Sequence, residues 1–456
     1  MDTKCMNKKD TKKLYIENLG CAKNQVDAEV IAHNLEVANW SLTEDASEAD
    51  LIMVNTCAFI ESAREESIKT FFELNALNPK AKIVVSGCLA QRYGKDLEDQ
   101  LLEADGIFGN RDFAQINDFV RKIEETKKKT KPSLLVPEYP DPDAEKNKRN
   151  KLFNYPGSAY LKISEGCNHR CGFCAIPIIR GSLRSRPMEA VLAEAKRLIG
   201  TGIKEINLIA QDLAAYGSDW DGKSHFCQLL KEIVSLDGDF RVRMLYIHPD
   251  AFPMELLDLI KQNNKIIPYF DIPLQHASAK LLRPMKRIGD ELIYTKLIQT
   301  IRESLPECVI RTTIMLGFPG EEDEDFTKVY DFVKTNRFNW MGSFVYSREE
   351  GTYAYDLTDE EKHKALTKIA KTRQKKLQKL QEKISSEILQ DFVGKEYEVL
   401  IEELVQGEDL AIGRIWAQAP EVDGLTVVMG RDMVPGQVYK CGITKVNGID
   451  LEAVKI

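Results

Sequence analysis

The chain has 456 residues, 43% of them hydrophobic and 29% charged, with a formal net charge of −8. That length has room for about two or three domains with cores of their own, and no apolar run approaches the ~18 residues that a membrane-spanning helix needs. The negative total argues against a protein held on nucleic acid mainly by long-range attraction.

The first residues, MDTKCMNKKDTKK, are basic but lead into no apolar signal core, so a cytoplasmic location is expected. Residues 13–120 alternate short β-branched runs with helical stretches, the pattern of βαβ units on a parallel sheet. The expected strands are Lys13–Leu19, Asp50–Val54 and Lys82–Val85, in a domain over 12–125. Arg121–Lys151 carries KKKTK, prolines and clustered charge, and 126–152 is expected to be a solvated linker.

A second alternation follows, with strands expected at Ala159–Ser164, Glu205–Ala210, Val242–Ile247, Tyr269–Pro273, Ile310–Leu316 and Gly342–Tyr346. Six strands separated by helical segments predict an open or partial β/α barrel rather than an eight-fold one. Leu366, Ile369, Leu377, Leu380 and Ile384 recur at helical spacing and predict one long charged helix over 359–390. The core domain is therefore placed at 153–388. Residues 391–456 change to short alternating runs with valines and glycines, which predict a small antiparallel β-barrel. The fold class is α/β with this barrel appended, and no internal repeat suggests a solenoid.

Ten cysteines sit badly with disulfides in a reducing compartment. Cys5, Cys227, Cys308 and Cys441 read as small buried hydrophobes. Cys167, Cys171 and Cys174 stand in a C-x3-C-x2-C spacing directly after the strand Ala159–Ser164, at the end of a β/α barrel where chemistry is placed. Three thiolates on one loop suit three irons of a 4Fe–4S cube and leave the fourth open to a small molecule, whereas most such clusters have four Cys ligands. The competing reading is structural zinc, which wants a closed four-ligand shell. His169 lies in the loop, too close in sequence to its neighbours to complete a tetrahedron comfortably.

Cys21, Cys57 and Cys88 are remote in sequence, yet each follows an expected strand within a few residues: YIENLG before Cys21, LIMVNT before Cys57 and IVVSG before Cys88. In a parallel sheet those ends share one edge. Chance burial would scatter thiols over strands, helices and loops. Convergence reads as a second three-cysteine cluster site.

With these motifs the chain resembles the radical S-adenosylmethionine superfamily, and within it the methylthiotransferases, whose terminal barrel is called a TRAM domain. The likeness spans essentially the whole chain. It is carried by LGCAKNQVDAE, NTCAFIESAREES, GCLAQRYG, SEGCNHRCGFCAIPIIRGSLRSRP, LIAQDLAAYG, DIPLQHAS and RTTIMLGFPGE. These segments resemble the branch that modifies an aspartate of small-subunit ribosomal protein twelve (RimO type). The alternative is the tRNA-modifying branch (MiaB type), which more typically reads CQMN where this chain has Cys21, Ala22, Lys23 and Asn24. Gly172 and Ala175 vary from the expected cluster loop, at no ligand position.

The resemblance implies two 4Fe–4S clusters, one on Cys167, Cys171 and Cys174 and one on Cys21, Cys57 and Cys88. The open iron of the first would bind S-adenosylmethionine, whose one-electron cleavage gives a 5′-deoxyadenosyl radical that takes hydrogen from an unactivated carbon. The other cluster would carry the sulfur, and a second S-adenosylmethionine the methyl group. Ribosomal protein twelve, an electron donor of flavodoxin or ferredoxin type and a sulfur source are the partners implied. No catalytic residue is assigned beyond the cluster ligands.

Gly317, Phe318, Pro319, Gly320 and Glu321 end the strand Ile310–Leu316 and open a helix. The two glycines either allow close backbone approach to the cofactor or make a plain strand-to-helix turn, with Glu321 and Glu322 favoured near the helix start. Gln211 and Asp212 follow the strand Glu205–Ala210 and are read as cofactor contacts, the plain alternative being strand termination. None of the six histidines pairs visibly with an acid or thiol in a catalytic arrangement. His276, at a barrel rim, suits a hydrogen-bonded structural role.

Residues 391–456 hold twelve acids and six bases. A barrel with that balance repels phosphate and attracts a basic partner such as a ribosomal protein, unless the acids simply solvate the surface. A metal-binding or electron-transfer module without substrate chemistry is the reading from a different class.

Overall fold

The computed structural model describes residues 11–125, 131–139 and 148–456. Cys5 lies outside the described residues. The chain divides into two compact units, one of residues up to Phe153 together with Ala175–Gly181, the other of Asn154–Cys174 with Ser182–Ile456.

The first unit is built on β1 (Lys12–Asn18), β2 (Trp40–Leu42), β3 (Leu51–Thr56), β4 (Lys82–Gly87), β5 (Gly106–Phe108) and β6 (Ser133–Leu135). They form one parallel sheet in the order β2-β1-β3-β4-β5-β6. The middle strand β3 is buried over its whole length, the continuous apolar run of a strand covered on both faces. Its side chains alternate between two cores: Ile52 and Val54 pack with Ile83, Val85 and Ile107, while Leu51 and Met53 pack with Leu14, Val84 and Phe108. The helices α1 (Ala22–Val37), α2 (Glu61–Leu77), α3 (Cys88–Gln100) and α4 (Ile116–Glu125) supply the crossovers.

Two findings revise the expected linker. Ser133–Leu135 adds a parallel edge strand beside β5. Further on, Arg149 forms an ion pair with Glu29 that is shut off from water on both sides, and the Phe153 N–H donates to Glu29 Oε1 at 2.8 Å. Charge and proline content hid both: a three-residue strand carries too little alternation to read, and a charged residue gives no sign that its partner is buried. Residues 126–130 and 140–147 of this stretch lie outside the described residues.

The second unit has β7 (Ser158–Lys162), a short antiparallel pair β8 (Ser164–Glu165) and β9 (Arg184–Ser185), then β10 (Glu205–Ile209), β11 (Arg241–Leu245), β12 (Ile266–Asp271), β13 (Val309–Leu316) and β14 (Trp340–Val345). Its main sheet is six-stranded and parallel, in the order β14-β13-β12-β11-β10-β7. The expected long helix spans Glu360–Leu389 and starts on Asp359, whose side chain accepts from the Lys362 N–H.

The chain ends in β15 (Glu396–Leu404), β16 (Leu410–Arg414), β17 (Thr426–Met429), β18 (Val438–Asn447) and β19 (Asp450–Lys455), a closed barrel. The expected antiparallel barrel needs one correction: β17 and β19 pair in parallel, and the other four pairs are antiparallel. Five strands cannot close with alternating directions throughout.

This barrel is seated on the N-terminal ends of the main strands. Val399, Ile401, Ala411 and Val428 share one apolar core with Ile267, Tyr269, Val309 and Trp340, and Trp340 Nε1 donates to the Ala417 carbonyl at 2.8 Å. Charges are buried there too. Glu205, the first residue of β10, bridges Arg243 and Arg414, Arg414 also meets Glu402, and Asp423 accepts from Tyr269 and lies beside Arg311.

Candidate functional site

The first triplet lies where three parallel strands end. Cys21 is the N-cap of α1, Cys88 is the first residue of α3, and Cys57 follows β3. Gly20, at φ +105°, brings its backbone against Cys57: a Cβ there would sit 2.9 Å from Cys57 Cβ and 3.4 Å from its Sγ. Asn24 ties the ends together. Its Nδ2 donates to Leu19 O at 3.0 Å and Thr56 O at 2.8 Å, just ahead of Cys21 and Cys57, and its Oδ1 stands 3.5 Å from Cys88 Sγ and 3.9 Å from Cys21 Sγ. Burial pushes the Cys88 thiol up to about 12, with the Arg180 guanidinium pulling the other way. Burial also raises Cys57, against the Phe59 N–H.

The second triplet is the loop after β7 and β8. The Cys174 N–H donates to Cys171 O at 3.1 Å, and Gly172 is pinned on both sides, to Met285 O at 2.9 Å and from the Ala354 N–H at 2.7 Å. All three thiols are half-buried. Burial raises Cys167 to about 11, opposed by the His169 N–H. Among the described residues, no three His, Cys, Asp or Glu side chains close around a single metal ion. Ligation at Cys57, Cys88 or Cys167 would have to displace the proton that burial favours there, with the bound metal supplying the positive charge that the thiolates lack.

Asp212 organises this rim. Its Oδ1 accepts from the Ala214 and His248 N–H groups at 3.1 and 3.0 Å, and its Oδ2 faces His169 Nε2 at 2.8 Å. The rings of His169 and His248 stack at 4.0 Å, and His248 Nε2 lies 4.0 Å from Cys171 Sγ. Burial, helped by Arg287 and His169, drives the His248 pKa down to about 2, so its imidazole is neutral. His169 thus meets an acid and His248 a thiol. Residues 169 and 212 lie on different loops, so nothing in the linear pattern could pair them.

Gln211 donates to Glu165 Oε1 at 3.1 Å. His276 is fully buried, accepts from the Ser278 N–H at 3.0 Å, and has its pKa lowered to about 4 by burial, as the structural reading expects. Gln211 Oε1, Gln275 Oε1, His276 Nε2, Ser164 Oγ and Ser343 Oγ are buried without a partner in the protein. Buried polar atoms are rarely left so. Four of these five residues follow the main strands at their C-terminal ends, and Ser343 lies within β14. Tyr246 and Gln275 hold left-handed backbone, φ 78° and 71°, at the ends of β11 and β12, strain of the kind that gathers at functional sites. No sequence signal marks either residue.

The turn after β13 has a packing explanation. A Cβ on Gly317, at φ +76°, would lie 2.6 Å from Ala370 Cβ on the long helix, whereas one on Gly320 meets only Leu281, at 4.0 Å. Glu321 accepts from the Gly317 N–H and pairs with Arg373, and Glu322 makes a capping box with Asp325. The lone Cys227, Cys308 and Cys441 are buried as expected.

Family models match along the chain: an uncharacterized protein family, UPF0004, over residues 13–109, the radical SAM superfamily over 161–333 and the TRAM domain over 393–456. Among solved structures, the radical S-adenosylmethionine methyltransferase TsrM from Kitasatospora setae is similar at a TM-score of 0.53 and 16% identity, covering 74% of this chain and 75% of that one. That likeness shows the fold alone. The parallel core with its three-cysteine loop defines a radical SAM enzyme, a class whose cofactors are S-adenosylmethionine and a 4Fe–4S cluster. Ribosomal protein uS12 methylthiotransferase RimO of Treponema denticola is 44% identical over 96% of this chain and 99% of its own length, and that of Myxococcus xanthus 40% identical over 97% and 91%. The chain belongs to the RimO methylthiotransferase family.

Proposed function

We propose that this chain methylthiolates the β-carbon of an aspartate on ribosomal protein uS12. The observation that carries the reading is the near-full-length identity to relatives named for that protein. Cys167, Cys171 and Cys174 would hold the radical SAM cluster, and Cys21, Cys57 and Cys88 a second 4Fe–4S cluster. Bound on these residues, the clusters supply the electron for cleaving S-adenosylmethionine, and the site for sulfur, which no side chain provides.

The chain's own residues bind and orient. Asp212 holds His169 of the cysteine loop and the backbone of His248, which faces Cys171. Gln211 Oε1 and Gln275 Oε1 offer acceptors to the cofactor. Asp212 is a positioning residue, since both of its oxygens already face donors of the protein. Gly317 and Gly320 border the same rim, with Gly320 the more open of the two.

The division of labour runs 12–125 for the methylthiotransferase domain, 126–152 for the connection, 153–388 for the radical SAM core and 391–456 for the TRAM barrel. Glu402, Asp423 and Arg414 are buried against the core, which leaves ten acids and five bases to the rest of residues 391–456. That balance favours a basic protein over tRNA. A flavodoxin- or ferredoxin-type electron donor, a sulfur source and a cytoplasmic setting complete the reading; among the described residues no helix is long and apolar enough to cross a membrane.

Anaerobic incubation of the reconstituted enzyme with uS12, reductant, sulfide and S-adenosylmethionine should add one methylthio mass to a single aspartate. An unmodified uS12 with 5′-deoxyadenosine still released would redirect the search to tRNA.

A further inference from the structure

Arg180 ends α5 (Ile176–Arg180), six residues past Cys174 in the chain, yet it belongs to the first unit. It is 2% exposed. Its Nη2 donates to Asn24 Oδ1 at 2.7 Å, Asp27 Oδ2 at 3.0 Å and Cys88 Sγ at 3.4 Å. Asn24 and Asp27 are each 1% exposed. The guanidinium is therefore locked against the residue that ties the three strand ends and against the most buried thiol of the triplet. Asn110 Nδ2 donates to the same sulfur at 3.5 Å, while its Oδ1 has no partner in the protein.

A buried cation needs a reason, because an uncompensated one is costly. Asp27 compensates the charge, but it does not explain the aim at sulfur. Hydrogen bonds to cluster sulfurs raise reduction potentials, and groups that orient a ligand from behind matter nearly as much as the ligand. We propose that Arg180 is a positioning residue for the first cluster: it holds Cys88 in place for ligation and, through its N–H to Cys88 Sγ, raises that cluster's reduction potential. The inference rests on reading Cys21, Cys57 and Cys88 as a cluster triplet. Its unusual consequence is that a residue encoded beside the radical motif serves the other cluster.

The test is made in the full chain with Cys167, Cys171 and Cys174 all changed to Ala, so that only the first cluster is loaded. Arg180→Gln should make iron about 10–100-fold easier to remove with a chelator and shift the midpoint potential downward. Arg180→Lys, which keeps a charged donor, should recover part of both. Asn110→Ala should shift the potential in the same direction by less, and it stands in if Arg180→Gln does not fold by circular dichroism. With Cys21, Cys57 and Cys88 changed to Ala instead, Arg180→Gln should leave the radical SAM cluster's iron and spectrum unchanged. Unaltered chelator resistance and potential in the first background would overturn the proposal, as would equal iron loss in both. A parent that loads no cluster while Arg180 is intact would overturn the triplet reading, and this inference with it.

Discussion

Arg414 of the terminal barrel and Glu205, the first residue of β10, form a 3.0 Å ion pair in which both side chains are almost completely hidden from water. Glu205 is shared with Arg243, and although burial opposes its charge, the two arginines hold its carboxyl down at about 2. Removing one member of a buried pair leaves an uncompensated charge and costs about 3–5 kcal/mol. Glu205→Gln should therefore lower stability by about that much in urea unfolding. A loss below about 1 kcal/mol would mean that water enters the cluster.

Asp423 behaves in the opposite way. Burial pushes its carboxyl from 3.8 up to about 6, although Arg311 and the Tyr269 hydroxyl favour the charged form. A raised folded-state pKa means that the folded chain binds the proton more tightly, so this stabilisation is full below pH 3.8 and is lost as pH rises through about 6. Asp423→Asn should flatten the dependence of stability on pH between about 4 and 6. An unchanged slope would show that the carboxyl ionises normally.

The two cysteine sets should separate by assay. Changing any of Cys167, Cys171 or Cys174 to Ala should abolish release of 5′-deoxyadenosine. Changing Cys21, Cys57 or Cys88 should spare that release and stop methylthio transfer. Equal loss of release in both sets would end the division of labour proposed for them.

Gly317 and Gly320 both have positive φ, but only Gly317 lies tightly against another element, with a Cβ there 2.6 Å from Ala370 Cβ against 4.0 Å from Leu281 at Gly320. Gly317→Ala should lower thermal stability clearly, by about 1–3 kcal/mol for strain and overpacking. Gly320→Ala should cost less and act more on affinity for S-adenosylmethionine. The reverse ranking in a melting and binding series would assign the cofactor contact to Gly317.

Cys21, Cys57 and Cys88 could be grouped from the sequence because each follows a strand whose apolar run is readable on its own, as LIMVNT before Cys57 shows, and Cys167, Cys171 and Cys174 because they share one short loop. β2, β5 and β6 were not legible, since three residues hold too little periodicity. The meeting of His169 with Asp212 and the locking of Arg180 beside Cys88 were hidden for another reason. Each depends on a tertiary approach between loops, and neither residue's neighbours in sequence hint at it. The strained backbone at Tyr246 and Gln275 was equally silent, because residue type favours ordinary φ at both.

The seating of the barrel sets a scale for any partner. β7 runs five residues and β13 eight, which at about 3.3 Å per residue puts roughly 17–26 Å between the strand ends that carry the barrel and those that carry the cysteine loop. A partner gripped by the barrel while its target residue sits at the loop must reach along that whole depth. In that case the core would act as a caliper: a folded protein could span its jaws, whereas an isolated loop peptide would touch one jaw and gain nothing from the other.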